Sequence, residues 1–192
     1  IAHITLNAPA TLRIAGYDIS RATVSAIADK VYNKKAQKPA PTVTAGEKKL
    51  VKGTDYTLSY KNNTKVGTAS VIITGKGAYA GTKKTVTFKI KNKATMTAKA
   101  TKSLQTVAYS KVSKKAQTVK KAIAVKGAKG KVSYKLVTTT KTKKFKVSAK
   151  GVITVPKGTK KGTYAVKVKV TDAGNAKYMG ATKTVTVKIK VK

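Results

Sequence analysis

Two runs of strict alternation lie close together near the C-terminal end of the chain. In the first, Tyr164, Val166, Val168 and Val170 are separated by Ala165, Lys167 and Lys169. In the second, Val185, Val187, Ile189 and Val191 are separated by Thr186, Lys188 and Lys190. A strand sends successive side chains to opposite faces, so each run has one apolar face and one basic face. Between them, Asp172-Ala-Gly-Asn-Ala-Lys-Tyr178-Met-Gly180 is rich in turn formers. The stretch predicts two long antiparallel strands joined by an ordered connection. If they pair as neighbours, Lys167, Lys169, Lys188 and Lys190 share one sheet face, and like charges set opposite one another there oppose pairing.

The plan repeats. Gly67-Thr68 matches Gly162-Thr163, Tyr79-Ala-Gly81 matches Tyr178-Met-Gly180, and Val86, Phe88 and Ile90 alternate as Val185, Val187 and Ile189 do. Internal repetition fixes architecture before any finer feature. Two copies predict an all-β chain of two tandem antiparallel immunoglobulin-like β-sandwich domains, each of about 75 to 100 residues. The 192 residues suffice for this, and 41% are hydrophobic, many of them Val and Ile that suit a pleated surface.

Strand candidates in the first domain are 22–27, 42–44, 56–60 and the run from Gly67. In the second they are 95–100, 105–109, 123–125, 132–137, 145–147 and 152–155, before the two long runs. Helical periodicity is nearly absent, and residues 19–31 are the one place that admits a helical turn. The reading divides the chain into residues 1–16, 17–92 and 93–192. The first segment is the tail of a preceding domain or an extra strand on the first, so the chain reads as part of a longer protein.

Charge narrows the function. Lys and Arg number 43 against 5 Asp and Glu, a net +38. Residues 1–92 hold 16 basic and 4 acidic side chains, whereas residues 93–192 hold 27 and 1. Only Arg13 and Arg21 are arginine. Lysine is a hydrated point charge without the bidentate fork, so such a surface attracts polyanions while reading little of their detail. There is no cysteine, which removes disulfides, thiolate nucleophiles and zinc knuckles, and no apolar run is long enough to insert in a membrane.

Val31-Tyr32-Asn33-Lys34, Lys38-Pro39, 52–56 (Lys-Gly-Thr-Asp-Tyr), 59–63 (Ser-Tyr-Lys-Asn-Asn), 66–69 (Val-Gly-Thr-Ala) and 73–81 (Ile-Thr-Gly-Lys-Gly-Ala-Tyr-Ala-Gly) appear in order. Together they resemble a bacterial immunoglobulin-like repeat of secreted and surface proteins of Gram-positive bacteria. Residues 93–192 resemble a lysine-rich, immunoglobulin-like or cadherin-like module at the C-terminal end of similar proteins, through 109–111 (Tyr-Ser-Lys), Gln117-Thr118, 161–164 (Lys-Gly-Thr-Tyr) and 173–178 (Ala-Gly-Asn-Ala-Lys-Tyr). The resemblance implies an extracellular or cell-surface location and a spacer or wall-associating role. It supplies no catalytic residue. Ala78 and Ala80 stand where the repeat commonly carries Asn and Thr, so that turn inherits no specific role.

No catalytic constellation emerges from the residues. His3 is the one histidine, and Asp18, Asp29, Glu47, Asp55 and Asp172 are scattered. They read as turn and cap carboxylates, with promotion of an isopeptide bond by Asp29 or Asp55 the sharper alternative. Their spacing gives no hard-metal cluster, and no cofactor is expected. Gly75-Lys-Gly77 lacks a full phosphate-loop motif and reads as a turn. Tyr32, Tyr56, Tyr60, Tyr79, Tyr109, Tyr134, Tyr164 and Tyr178 suit core packing, with sugar or base stacking as the alternative. Two classes of function lead. One is a non-catalytic spacer holding anionic envelope polymers diffusely through Lys167, Lys169, Lys188 and Lys190. The other is an adhesin or carbohydrate-binding module with a discrete site for host or envelope glycans. Non-specific nucleic-acid binding at low salt accompanies either.

Overall fold

A computed structural model of the protein describes residues 18–192; the segment 1–16, His3 included, lies outside the described residues. The fold is all-β and divides into two compact units, one closing at Ile90 and the other spanning Lys91–Lys192.

The first unit holds β1 (Thr23–Val24), β2 (Lys30–Val31), β3 (Val43–Ala45), β4 (Lys48–Lys49), β5 (Tyr56–Lys61), β6 (Gly67–Gly75) and β7 (Lys83–Lys91). One sheet runs β2-β7-β6-β5 and the other β1-β3-β4. Alternation in β6 sends Ala69, Val71 and Ile73 inward, where they meet Ile19, Val43, Leu50, Tyr56, Tyr79, Phe88 and Ile90. The stretch 22–27 forms only the short β1: the Ser25 amide still donates to the Thr42 carbonyl at 2.9 Å, but the Thr42 amide donates to the Ser25 hydroxyl at 2.9 Å instead of to a backbone carbonyl, and the ladder ends there.

The second unit holds β8 (Thr97–Ala100), β9 (Gln105–Val107), β10 (Gln117–Val119), β11 (Ile123–Lys126), β12 (Val132–Val137), β13 (Lys146–Val147), β14 (Ile153–Val155), β15 (Gly162–Asp172) and β16 (Ala181–Val191). Its main sheet runs β12-β15-β16-β9; β10-β14-β13 and β11-β8 supply the opposing strands. The two alternating runs are β15 and β16, paired antiparallel over eleven residues from Gly162↔Val191 to Asp172↔Ala181. Val166, Val168, Val170, Val185, Val187, Ile189 and Val191 point inward onto Val112, Phe145, Ile153 and Val155.

The repeat returns in the ladders with the closing strand shifted by two residues, so that Ile90 is matched by Val191 rather than by Ile189. Gly67 opens β6 opposite Ile90, and Gly162 opens β15 opposite Val191. Their φ angles are +143° and +148°, a region that L side chains avoid. The turns that follow differ: Gly77–Tyr79 is a 3-10 turn that buries Tyr79, whereas Tyr178 stays half-buried.

Three local readings change. The expected strand over 105–109 stops at Val107, and Tyr109–Val112 forms a short helix, α1, that drops Val112 fully into the core. Gln117–Val119, not foreseen as a strand, pairs with β14. β9 lies parallel to β16, whereas the β15–β16 and β12–β15 pairs of the same sheet are antiparallel. The Tyr109 amide then bonds the Lys192 carbonyl at 2.6 Å, which holds the start of α1 against the end of β16.

The two matched glycines give a clean test. No atom lies within 4 Å of a methyl built on Gly67, and only Tyr164 Cε2, at 3.9 Å, approaches one on Gly162. Gly67→Ala and Gly162→Ala therefore each cost about 1–3 kcal/mol through backbone conformation alone. Denaturant unfolding of the two variants measures this, and a cost at one position only breaks the equivalence.

Candidate anion-binding face

The outer face of the β12-β15-β16-β9 sheet follows from strand parity. With Val166, Val168 and Val170 turned inward, Thr163, Ala165, Lys167 and Lys169 face solvent; with Val185, Val187 and Ile189 inward, so do Thr184, Thr186, Lys188 and Lys190. The structure thus puts all four predicted lysines on one exposed face.

The register corrects the expected crowding between them. Lys167 sits opposite Thr186, Lys169 opposite Thr184, Lys188 opposite Ala165 and Lys190 opposite Thr163. The two Lys–Thr patterns are out of phase, so no lysine meets a lysine directly across β15–β16. The one head-on pair lies elsewhere: β12 places Lys135 opposite Lys169. Like charges so placed destabilise a sheet by up to about 1 kcal/mol. Lys135 was not foreseen, because nothing in the sequence indicates which strand flanks β15.

These positions form a diagonal belt. Lys135 faces Lys169, Lys167 lies two residues along β15, Lys188 is its diagonal neighbour on β16, and Lys190 follows. Each step is about 5–8 Å, within the Debye length of about 8 Å at physiological salt. The ammonium groups therefore feel one another, and a chain of anions laid along the belt relieves that repulsion.

No carboxylate offsets the belt. Asp172, the single acidic residue of 93–192, is 1% exposed. Its carboxylate accepts the amides of Lys129 at 3.0 Å, Gly130 at 2.8 Å and Gly174 at 2.9 Å. The Lys129 amide above all, with the Gly174 and Gly130 amides and the Lys129 charge, holds the carboxyl below its usual range against the opposing effect of burial. The glycines permit this: a side chain on Gly130 would run into the Gly174 carbonyl, and one on Gly180 into that of Asp172. Asn175 completes the turn, donating to the Lys129 carbonyl at 2.9 Å and accepting the Lys177 and Tyr178 amides at 2.8 and 2.9 Å.

Most of the other candidate side chains take part in turns and packing contacts. Asp18 caps a 3-10 turn through the Ser20 amide, and Asp55 accepts the Val51 amide at 2.7 Å with Lys48 at 3.9 Å. Gly75-Lys-Gly77 leads into the Gly77–Tyr79 turn. Tyr56 and Tyr79 are core residues, Tyr60 and Tyr164 donate to the Pro39 and Lys160 carbonyls, and Tyr109 and Tyr178 lie under the Lys161 and Lys129 ammonium groups. Burial raises the phenol pKa of Tyr56 and of Tyr60. Among the described residues no three His, Asp or Glu side chains gather as metal ligands.

No family model and no curated protein matches this chain. Among solved structures it is similar to repeats EC22-24 of mouse cadherin-23, with 14% identity and a TM-score of 0.40 over 91% of this chain and 66% of that one. It is similar also to EC1-2 of human mucin-like protocadherin, with 12% identity and a TM-score of 0.36 over 90% of this chain and 98% of that one. For EC1-2 of chicken VE-cadherin the values are 15% and 0.36, over 85% and 97%.

The internal carboxylate makes the second unit acid-sensitive. The folded pKa of Asp172 lies below the unfolded value, so its stabilisation is complete above about pH 4 and is lost as pH falls through the folded pKa. Asp172→Asn removes the charge-assisted acceptor, costs about 2–4 kcal/mol at pH 7, and flattens this acid dependence. Amide exchange across residues 93–192 at pH 7 and pH 3 measures both, and an unchanged acid profile in the variant contradicts the assignment.

Proposed function

We propose that the chain is a non-catalytic extracellular spacer of a larger secreted bacterial protein, and that its domain 93–192 associates with anionic envelope polymers through its lysines. The observation that carries this reading is the belt Lys135, Lys169, Lys167, Lys188 and Lys190 on a sheet face whose domain keeps its one carboxylate inside. A site evolved only for solubility has no need to exclude carboxylates from the same face, since mixed charge serves solubility as well. The motifs of 17–91 and 93–192 support the bacterial surface setting through their resemblance to surface-protein repeats.

The mode of binding is electrostatic and tolerant. Lysines on a flat sheet offer point charges at spacings set by strand geometry, with threonine hydroxyls between them as secondary donors. Phosphate-bearing or carboxylate-bearing polymers meet this surface alike, and nucleic acid joins them at low salt. No described helix is long and apolar enough to cross a membrane.

The full chain is expected to bind a polyglycerol-phosphate teichoic acid with an affinity that falls steeply as salt rises. Replacing Lys167, Lys169, Lys188 and Lys190 together by Gln weakens binding at least tenfold at low salt and makes the salt dependence shallower. Free polymer at 100 times its Kd raises stability by about 2.7 kcal/mol in the parent chain. Equal affinity and equal salt dependence in the variant would exclude the belt as the binding face.

A further inference from the structure

A second feature of the same unit shares no residue with the belt. A groove of about 500 Å³ opens beside β11 and the β13–β14 turn. Ile123, Tyr134 and Val152, all half-buried, form its apolar wall, and Lys120, Lys121 and Lys150 stand exposed at its rim. This size falls within the range of small-molecule and sugar pockets. The gap lies on the inner side of the sandwich: Tyr134 pairs with Val170, whose side chain is fully buried.

The rim is built, not merely decorated. Lys121 holds φ at +51°, a left-handed conformation uncommon for a residue other than glycine. Thr101 pins that turn twice, its hydroxyl donating to the Lys121 carbonyl at 2.8 Å and its amide to the Ala122 carbonyl at 3.0 Å. Across the groove, Ser148 holds the Lys150 turn. Its hydroxyl accepts the Val152 amide at 3.1 Å, and its carbonyl accepts the Gly151 amide at 2.9 Å. Gly151, at φ +75°, lets the backbone lie against the Tyr134 ring, where a Cβ would meet Cε1 at 2.9 Å. Lys34, at φ +65°, takes the same left-handed conformation elsewhere, so what distinguishes Lys121 is that its turn sets the side chain at the rim of the groove.

We infer that this groove is a discrete subsite for an acidic sugar: a pyranose ring against Tyr134, Ile123 and Val152, with carboxylates reaching Lys120, Lys121 and Lys150. The apolar wall decides the ligand class. A ring has C–H faces that pack on an aromatic and aliphatic wall, whereas a polyphosphate or polyglycerol phosphate chain offers the rim charges only. Pinned turns lower the ordering cost of binding, so a short oligomer suffices, and the apolar part of the contact survives salt that screens the charges.

The experiment is calorimetric titration of the full chain carrying Gln at positions 135, 167, 169, 188 and 190, which removes the belt, with tetragalacturonate, with its neutral galactose tetramer and with inorganic polyphosphate, at 150 mM salt. Tetragalacturonate is expected to bind with a sub-millimolar Kd, and the other two at least tenfold more weakly. Lys121→Gly is expected to raise the melting temperature of the second unit by a few degrees, by removing the strained conformation, while weakening tetragalacturonate binding at least fivefold. Lys150→Gln weakens it similarly, and the first-unit pair Lys52→Gln and Lys61→Gln, both exposed, leaves it unchanged. Absence of binding at 5 mM, equal binding of polyphosphate, or equal loss in the first-unit variants overturns the subsite. Teichoic acid binding lost on the outer face with tetragalacturonate never bound removes the groove alone. Tetragalacturonate binding that depends on Lys121 while teichoic acid binding ignores the outer face removes the belt alone.

Discussion

The ladder between β15 and β16 decides most of what the second unit is. Eleven residues pair with eleven in one unbroken register. Because side chains alternate, fixing the inward valines also fixes the outward lysines, and a slip of one residue would exchange core and surface. The sheet grows from this pair, with β12 added on one edge and β9 on the other. Burying Val166, Val168, Val170, Val185, Val187 and Ile189 supplies the driving force; full burial of one such side chain is worth about 1.5–3 kcal/mol. The basic face is therefore not a separate acquisition. It is the other half of the alternation that makes the core.

Such a face carries an electrostatic cost, and two features reduce it. The out-of-phase register sets threonine or alanine opposite each lysine of the central pair. Water and salt screen what remains, since the lysines are exposed. A carboxylate on the same face would reduce the cost further, yet Asp172 is turned inward and held by three backbone amides. There it fastens the β15–β16 connection to the segment that precedes β12. Its charge stabilises a turn and leaves the surface potential positive, an arrangement suited to partners that bring their own negative charge.

The long elements were legible in the sequence because strict alternation over many residues has few other meanings. Gly67 and Gly162 betrayed the repeat because a φ near +145° admits little but glycine. The Lys–Thr face could be read for the same reason as the core, by parity. Register and neighbour choice could not: the head-on Lys135–Lys169 pair depends on β12 lying beside β15, 30 to 40 residues away along the chain. α1 escaped because its apolar residue, Val112, is isolated, and its anchor, the Lys192 carbonyl, is distant in sequence. The Asp172 latch looked like an ordinary turn carboxylate, since two of its three amide donors come from another loop. The groove at Lys121 was hidden for a similar reason, because its wall and rim come from four separate segments.

The central claim is that strand parity has produced a basic belt open to polyanions. Lysine acetylation footprinting of the full chain, read residue by residue by mass spectrometry with and without teichoic acid, tests it directly. The account predicts that Lys135, Lys167, Lys169, Lys188 and Lys190 lose reactivity together on adding polymer, well beyond exposed lysines of the first unit such as Lys52 and Lys61, and regain it at high salt. Protection spread evenly over exposed lysines of both units would contradict it.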